Sequence, residues 1–139
     1  MDLSPDSAAQ LETIIAHIVA LTKQGASKNS ICIVARNNSH LTSLITDLEG
    51  ANIQTLRLGR EGDSPAKPGV RVATMHRVKG IEFDHIIITH LEKTSWTRFL
   101  DEDGTFPTSE RSLIYVAATR ARKSLLLTSS GDVLKEVHK

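Results

Sequence analysis

The sequence predicts an α/β fold, with a mainly parallel sheet flanked by helices on both faces, and three observations carry that expectation. Short apolar runs without polar alternation, Ile31 to Ala35 and the isoleucines Ile86, Ile87 and Ile88, are the pattern of strands buried on both faces of a parallel sheet. Between such runs lie stretches whose apolar residues recur at helical spacing. Strands and helices alternate along the chain and are joined by short Gly, Asn and Ser-containing turns.

The first helix is expected where Leu11, Ile14, Ile15, Ile18, Val19 and Thr22 fall on one face, with Ser7 and Gln10 as a capping box and Gly25 as the stop. Residues 31–35 form the first strand. A second helix carries Leu41, Leu44, Ile45 and Leu48, is capped by Asn38 or Ser39 and stops at Gly50. Residues 53–58 read as a further strand. Residues 59–69 hold three glycines and two prolines and are expected as an exposed loop. Residues 70–73 and 84–89 are strands. Residues 90–107 form a long excursion in which Trp96 and Phe99 are candidate anchors. Residues 109–122 return to helical spacing, with Tyr115 assigned to the apolar side, and residues 125–128 give a last strand.

Length and composition bound the function. The 139 residues are 40% hydrophobic and 24% charged, as in a globular protein large enough to bury a core unaided. One domain, 1–139, is expected: an N-terminal helix and linker over 1–29, a core over 30–130 and a tail over 131–139. No apolar run approaches the roughly 20 residues that span a bilayer, and the acidic start Met1-Asp2-Leu3-Ser4-Pro5-Asp6 lacks the order of a secretory signal. A cytoplasmic location without membrane partners is the expectation. Cys32 is the sole cysteine, which excludes an internal disulfide and a cysteine-rich zinc site; within an apolar run it reads as a small buried hydrophobe. The net charge of +1 is uninformative, but Arg111, Arg120, Arg122 and Lys123 crowd one short segment, as phosphate-meeting cations do and as a solvated helix face also does.

Chemistry concentrates in residues 74–83, Thr-Met-His-Arg-Val-Lys-Gly-Ile-Glu-Phe, which set a hydroxyl, an imidazole, two cations, a glycine and a carboxylate between two apolar runs. In an open α/β sheet, a polar turn after a strand is where ligands bind. Other signatures are missing: no G-x-S-x-G, no H-E-x-x-H, no G-x-G-x-x-G after a strand, and no G-x-x-x-x-G-K-[ST] loop to cradle phosphates. His85 and His90 suggest no third ligand, so no metal site is expected.

Residues 72–84 and 110–121, taken together, resemble motifs V and VI of UvrD/Rep-type superfamily 1 DNA helicases. The first matches T-x-H-x-x-K-G-x-E-F at every defined position, and the second contains Tyr115-Val116-Ala117-Ala118-Thr119-Arg120-Ala121, matching Y-V-A-x-T-R-A. Ile31 to Asn37 followed by a helix resembles the opening of the second motor domain in that family. The resemblance covers roughly residues 30 to 130. It implies the C-terminal, 2A-type RecA-like domain, a three-layer P-loop NTPase-type fold, in an enzyme that uses ATP with Mg2+ and acts on single-stranded DNA.

Residue roles follow from the same resemblance. Arg120 is the arginine that reaches the γ-phosphate across the interdomain cleft, a task suited to a permanently charged fork that stabilises charge developing in phosphoryl transfer. The bland reading of Arg120 is a helix-end cation facing water. Glu82 and Gly80 fall at the nucleotide edge, Gly80 allowing a positive φ; a surface carboxylate is the alternative for Glu82. Thr74, His76 and Lys79 fall where the family meets the DNA backbone, and all three donate to phosphate without reading sequence; a core histidine is the alternative for His76. Arg36 and Asn37 add polynucleotide contacts. The N-terminal motor domain, supplying the P-loop and the Mg2+ ligands, is the implied partner, so the isolated chain is expected to be inactive. The competing reading is a stand-alone nucleic-acid or protein interaction module with a helicase-like shape and no motor activity. A Rossmann-type metabolite binder lacks its glycine fingerprint.

Overall fold

The computed structural model describes residues 2–3, 7–59, 62–64, 66–91, 102 and 107–129. Its elements are β1 (Asp2–Leu3), α1 (Ser7–Lys23), a 3-10 turn (Lys28–Ser30), β2 (Ile31–Ala35), α2 (Asn38–Gly50), β3 (Thr55–Arg57), β4 (Val70–Thr74), β5 (Phe83–Ile88), α3 (Thr108–Ala118) and β6 (Ala121–Ser129). The strands form one sheet in the order β1-β6-β5-β2-β4-β3, and every pairing is parallel. Central β2 pairs on one side with β5, Ile33 opposite Ile87, and on the other with β4, Ala35 opposite Thr74.

Alternate residues of the central strands feed two separate cores, which makes three layers. Ile31, Ile33 and Ala35 of β2, Val70 and Val72 of β4 and Ile87 of β5 pack with Ile14, Ile18 and Leu21 of α1 and Leu41, Leu44 and Leu48 of α2. Cys32, Val34, Ala73, Ile86 and Ile88 point the other way, against Met75 and Val78 of the segment following β4 and Leu113 and Ala117 of α3. The period of two in a strand divides continuous apolar runs between both faces. Cys32 is fully buried, and that burial pushes its thiol pKa well above the ordinary range, with the Asp63 carboxylate adding in the same direction.

Several expectations are refined. The α2 cap is Asn37, whose Oδ1 accepts the His40 N–H at 3.1 Å, one residue before Asn38. Gln10 is no capping partner: its buried side-chain oxygen accepts the Thr89 hydroxyl, the His90 N–H and the Thr128 hydroxyl, each at 2.9 Å, and so bolts α1 to the ends of β5 and β6. The strand expected over 53–58 shortens to Thr55–Arg57, and the last strand lengthens to Ala121–Ser129. Residues 59–69 form no helix or strand among those described, and they pack on Arg71, a fully buried cation. Arg71 donates to Asp63 Oδ1 (2.9 Å) and to the carbonyls of Gly69 (2.7 Å) and Ser64 (2.9 Å), which answers the cost of burying its charge. Trp96, Phe99 and the tail from 131 lie outside the described residues.

A candidate site divided between two rims of the sheet

In a wholly parallel sheet the carboxyl ends of all strands share one rim. Ala35 and Thr74 are in register there, so the residues that follow them, Arg36, Asn37, Met75, His76 and Arg77, converge. Arg36, Asn37, His76 and Arg77 line an open groove of about 640 Å³, with Thr74 on its wall and Asn38 and Ser39 of the α2 start completing it. Tight turning after β4 holds this shape: the Thr74 carbonyl accepts the N–H groups of Arg77 (3.0 Å) and Val78 (3.2 Å), and its hydroxyl oxygen accepts the Arg77 N–H at 3.4 Å. Met75 and Val78 are buried anchors, which forces His76 and Arg77 outward into solvent.

His76 is therefore not a core histidine; it is exposed on the groove wall. Arg77, which sequence reasoning passed over as a variable position of the motif, lines the groove beside it. Lys79 is exposed on the same turn but does not line the groove. Asn37 is occupied by helix capping, accepting from Ser39 Oγ at 2.7 Å as well as from His40. Arg36 is held by Glu110 in a forked ion pair, Nε to Oε1 at 2.6 Å and Nη2 to Oε2 at 3.1 Å, with 15% and 11% of the two side chains exposed. Glu110 lies 74 residues further along, so no local signal in the sequence announces it.

The second group of expected residues lies on the opposite rim. Residues 75–82 cross one face of the sheet and enter β5, whose first residue Phe83 pairs with Ala121 at the start of β6. The Phe83 N–H donates to the Arg120 carbonyl at 3.0 Å, which fixes Arg120 beside the end of the Gly80 to Glu82 turn. Gly80 has φ 80°, the left-handed region, and a Cβ there would meet nothing within 4 Å, so conformation and not crowding calls for glycine. Glu82 is exposed. Arg120 is partly buried, and its Nε is shut off from solvent with no hydrogen-bond partner among the described residues. A buried donor left unmade costs stability, which distinguishes this nitrogen from the exposed cations nearby.

The basic cluster near the end does not act as one patch. Arg122 and Lys123 both reach Asp84, at 3.1 and 3.6 Å, as exposed pairs worth little. Tyr115, assigned to the apolar side of its helix, is instead 70% exposed, because the buried stripe of α3 runs through Glu110, Leu113 and Ala117. The six-residue β5 separates the two rims by about 20 Å at ~3.3 Å per residue. Among the described residues no group of three or more His, Cys, Asp or Glu side chains could hold a metal ion, and no helix is long and apolar enough to cross a membrane.

Residues 52–131 match the model of the UvrD-like helicase C-terminal domain, more than half of the chain. A DNA helicase II of Haemophilus influenzae is 32% identical over 94 residues, 66% of this chain and 12% of that protein; a DNA helicase II of Rickettsia typhi is 40% identical over 62 residues, 42% of this chain and 9% of that protein. The chain thus spans only a small part of the relatives it matches. Among solved structures, the C-terminal domain of a possible DNA helicase from a Lactobacillus superposes with a TM-score of 0.78 at 19% identity, covering 98% of this chain and 76% of that one. The SWI2/SNF2 ATPase core of Sulfolobus solfataricus, solved with double-stranded DNA, gives 0.61 at 12% identity over 92% of this chain and 27% of that one. Such structural likenesses bear on fold alone, and they place the sheet in the RecA-like class. By the matched family model, in keeping with its fold, the chain belongs to the UvrD-like helicase C-terminal domain family.

Proposed function

We propose that the chain is the C-terminal motor domain of an ATP-dependent DNA helicase, with a nucleotide edge at Gly80, Glu82 and Arg120 and a polynucleotide edge at the groove between β2 and β4. The observation that carries this reading is the buried Nε of Arg120, without a partner among the described residues, at the rim where Glu82 also emerges. A phosphate oxygen is an acceptor suited to an arginine fork, and Arg120 is the residue of this rim that would stabilise charge on a transferred phosphoryl group. The P-loop and the Mg2+ ligands would come from the N-terminal motor domain, and exposed Glu82 would accept hydrogen bonds from the nucleotide sugar.

At the other rim, His76 and Arg77 present donors to a sugar-phosphate backbone, with the Thr74 hydroxyl behind them and Arg36 at the groove's far side. Among the described residues the groove is lined by cations, hydroxyls and amides with His76 and without Phe, Tyr or Trp, a lining that favours backbone positioning over base stacking. Residues 75–82 join the two edges without a regular helix, so movement at one rim is passed to the other over about eight residues.

The test is an ATPase assay with and without the N-terminal motor domain. Alone, the 139-residue chain should hydrolyse Mg-ATP at background; joined to that domain it should show hydrolysis stimulated by single-stranded DNA and lost in Arg120→Ala. Substantial ATPase in the isolated chain that Arg120→Ala abolishes would overturn the division of labour.

A further inference from the structure

Helix α3 is the second structure that spans from rim to rim. Its first turn holds Glu110 at the groove, and Arg120 follows its last turn at the nucleotide rim. Eleven residues at about 1.5 Å each give a rod of about 16 Å. Glu110, Leu113 and Ala117 are its buried residues, Ile114 and Ala118 pack partly buried beside them, and the N-cap, Pro107, gives no side-chain hydrogen bond to the helix start. At its C-terminal end the chain is fixed by the Phe83 to Arg120 backbone bond. At its N-terminal end the Arg36–Glu110 fork ties it to the end of β2, and Arg36 itself lines the groove.

We infer that Glu110 is a positioning residue that couples polynucleotide binding to the nucleotide rim, by tying α3, and with it Arg120, to the groove cation Arg36. This rests on the proposed helicase reading. The physical basis is competition at one guanidinium. Arg36 spends two of its five N–H donors on Glu110, a charge-assisted fork shielded from solvent. A backbone phosphate entering the groove presents the same kind of acceptor, so a bound strand redistributes Arg36 between phosphate and Glu110. The carboxylate that gains or loses its partner belongs to the helix that leads into Arg120, so occupancy of the groove is reported along a rigid rod. Glu110 touches neither ligand. Its loss should therefore leave each edge intact and uncouple them.

The experiment uses the helicase that carries this domain together with its N-terminal motor domain. Glu110→Gln keeps shape and removes the charge. Expected is a fall of about tenfold in the stimulation of ATPase kcat by single-stranded DNA, with the basal rate unchanged and the DNA Kd within about threefold of wild type, a size ordinary for coupling between sites. Should Glu110→Gln weaken the helix start, Pro107→Ser in the same chain supplies a capping hydroxyl without restoring the link to Arg36, and stimulation should stay lost. Stimulation within about threefold of wild type, or basal and stimulated rates falling together in the folded Pro107→Ser/Glu110→Gln protein, overturns the coupling role. A wild-type helicase without DNA-stimulated ATPase would fail the proposed function instead, and so the two failures are distinguishable.

Discussion

Replacing Arg120 by methionine separates a functional arginine from a structural one. Met retains a flexible apolar stem for the partly buried site and removes the Nε donor that has no partner among the described residues. Leaving a buried donor unmade costs about 1–3 kcal/mol, so its removal should relieve a penalty instead of creating one. Part of that gain is offset by lost stem packing, which leaves an expected change between zero and about 1 kcal/mol in favour of the variant. For a domain of this length that is a rise in Tm of up to about 4 °C. The same substitution in the helicase should lower ATPase kcat by about a thousandfold or more, the scale of an arginine that meets phosphoryl-transfer charge, or at least ~4 kcal/mol of barrier. Calorimetry of the isolated domain and steady-state ATPase of the helicase are the two assays. A loss of more than about 2 kcal/mol of domain stability, with ATPase reduced less than about tenfold, would show that Arg120 holds the fold together and would refute the reasoning.

Other perturbations probe the groove and the backbone. Arg77→Ala should weaken single-strand binding and flatten its salt dependence, lowering the slope of log K against log salt by about 0.7 if Arg77 meets one phosphate; an unchanged slope in fluorescence anisotropy titrations removes it from the groove's contacts. Gly69→Ala and Gly80→Ala make a pair, since both have positive φ but only Gly69 is crowded, a Cβ there lying 3.0 Å from the Thr55 carbonyl carbon and 3.2 Å from the Gln54 oxygen. Gly80→Ala should cost about 1 kcal/mol from conformation alone, and Gly69→Ala at least twice that, about 2 kcal/mol or more, by denaturant unfolding; equal losses would contradict the close approach of β3 to the 59–69 loop.

What the sequence made legible follows the range over which each interaction acts. Strands buried on both faces and helices with one apolar face announce themselves within a few residues, so β2, β4, β5 and the helices could be read directly. The ends of β6 were harder. Its first half, Ala121 to Ser124, is polar because β1 pairs only with Thr128 and Ser129, which leaves the earlier residues without a strand beyond them. Tyr115 was misassigned although the information was local: it lies two residues from both Leu113 and Ala117, close to 200° around the helix, on the far side of their stripe. The motif residues fell at the two rims because the strand that follows them has fixed length and direction. Arg77 entered the groove as a neighbour forced outward between Met75 and Val78. Glu110 and Gln10 were invisible, since their partners lie 74 and about 80 to 118 residues away and neither residue type announces such contacts.

The shared oxygen of Gln10 bears on how this domain opens. Three donors from two strand ends converge on one acceptor, and the same side chain belongs to the first helix. None of the three donors can exchange Gln10 for water without α1 lifting from that corner. The amide of His90 should therefore exchange its hydrogen in step with the inner face of α1, as part of one cooperative opening unit. The N-terminal helix and the ends of β5 and β6 then share one local stability, although about 80 to 118 residues of chain separate them.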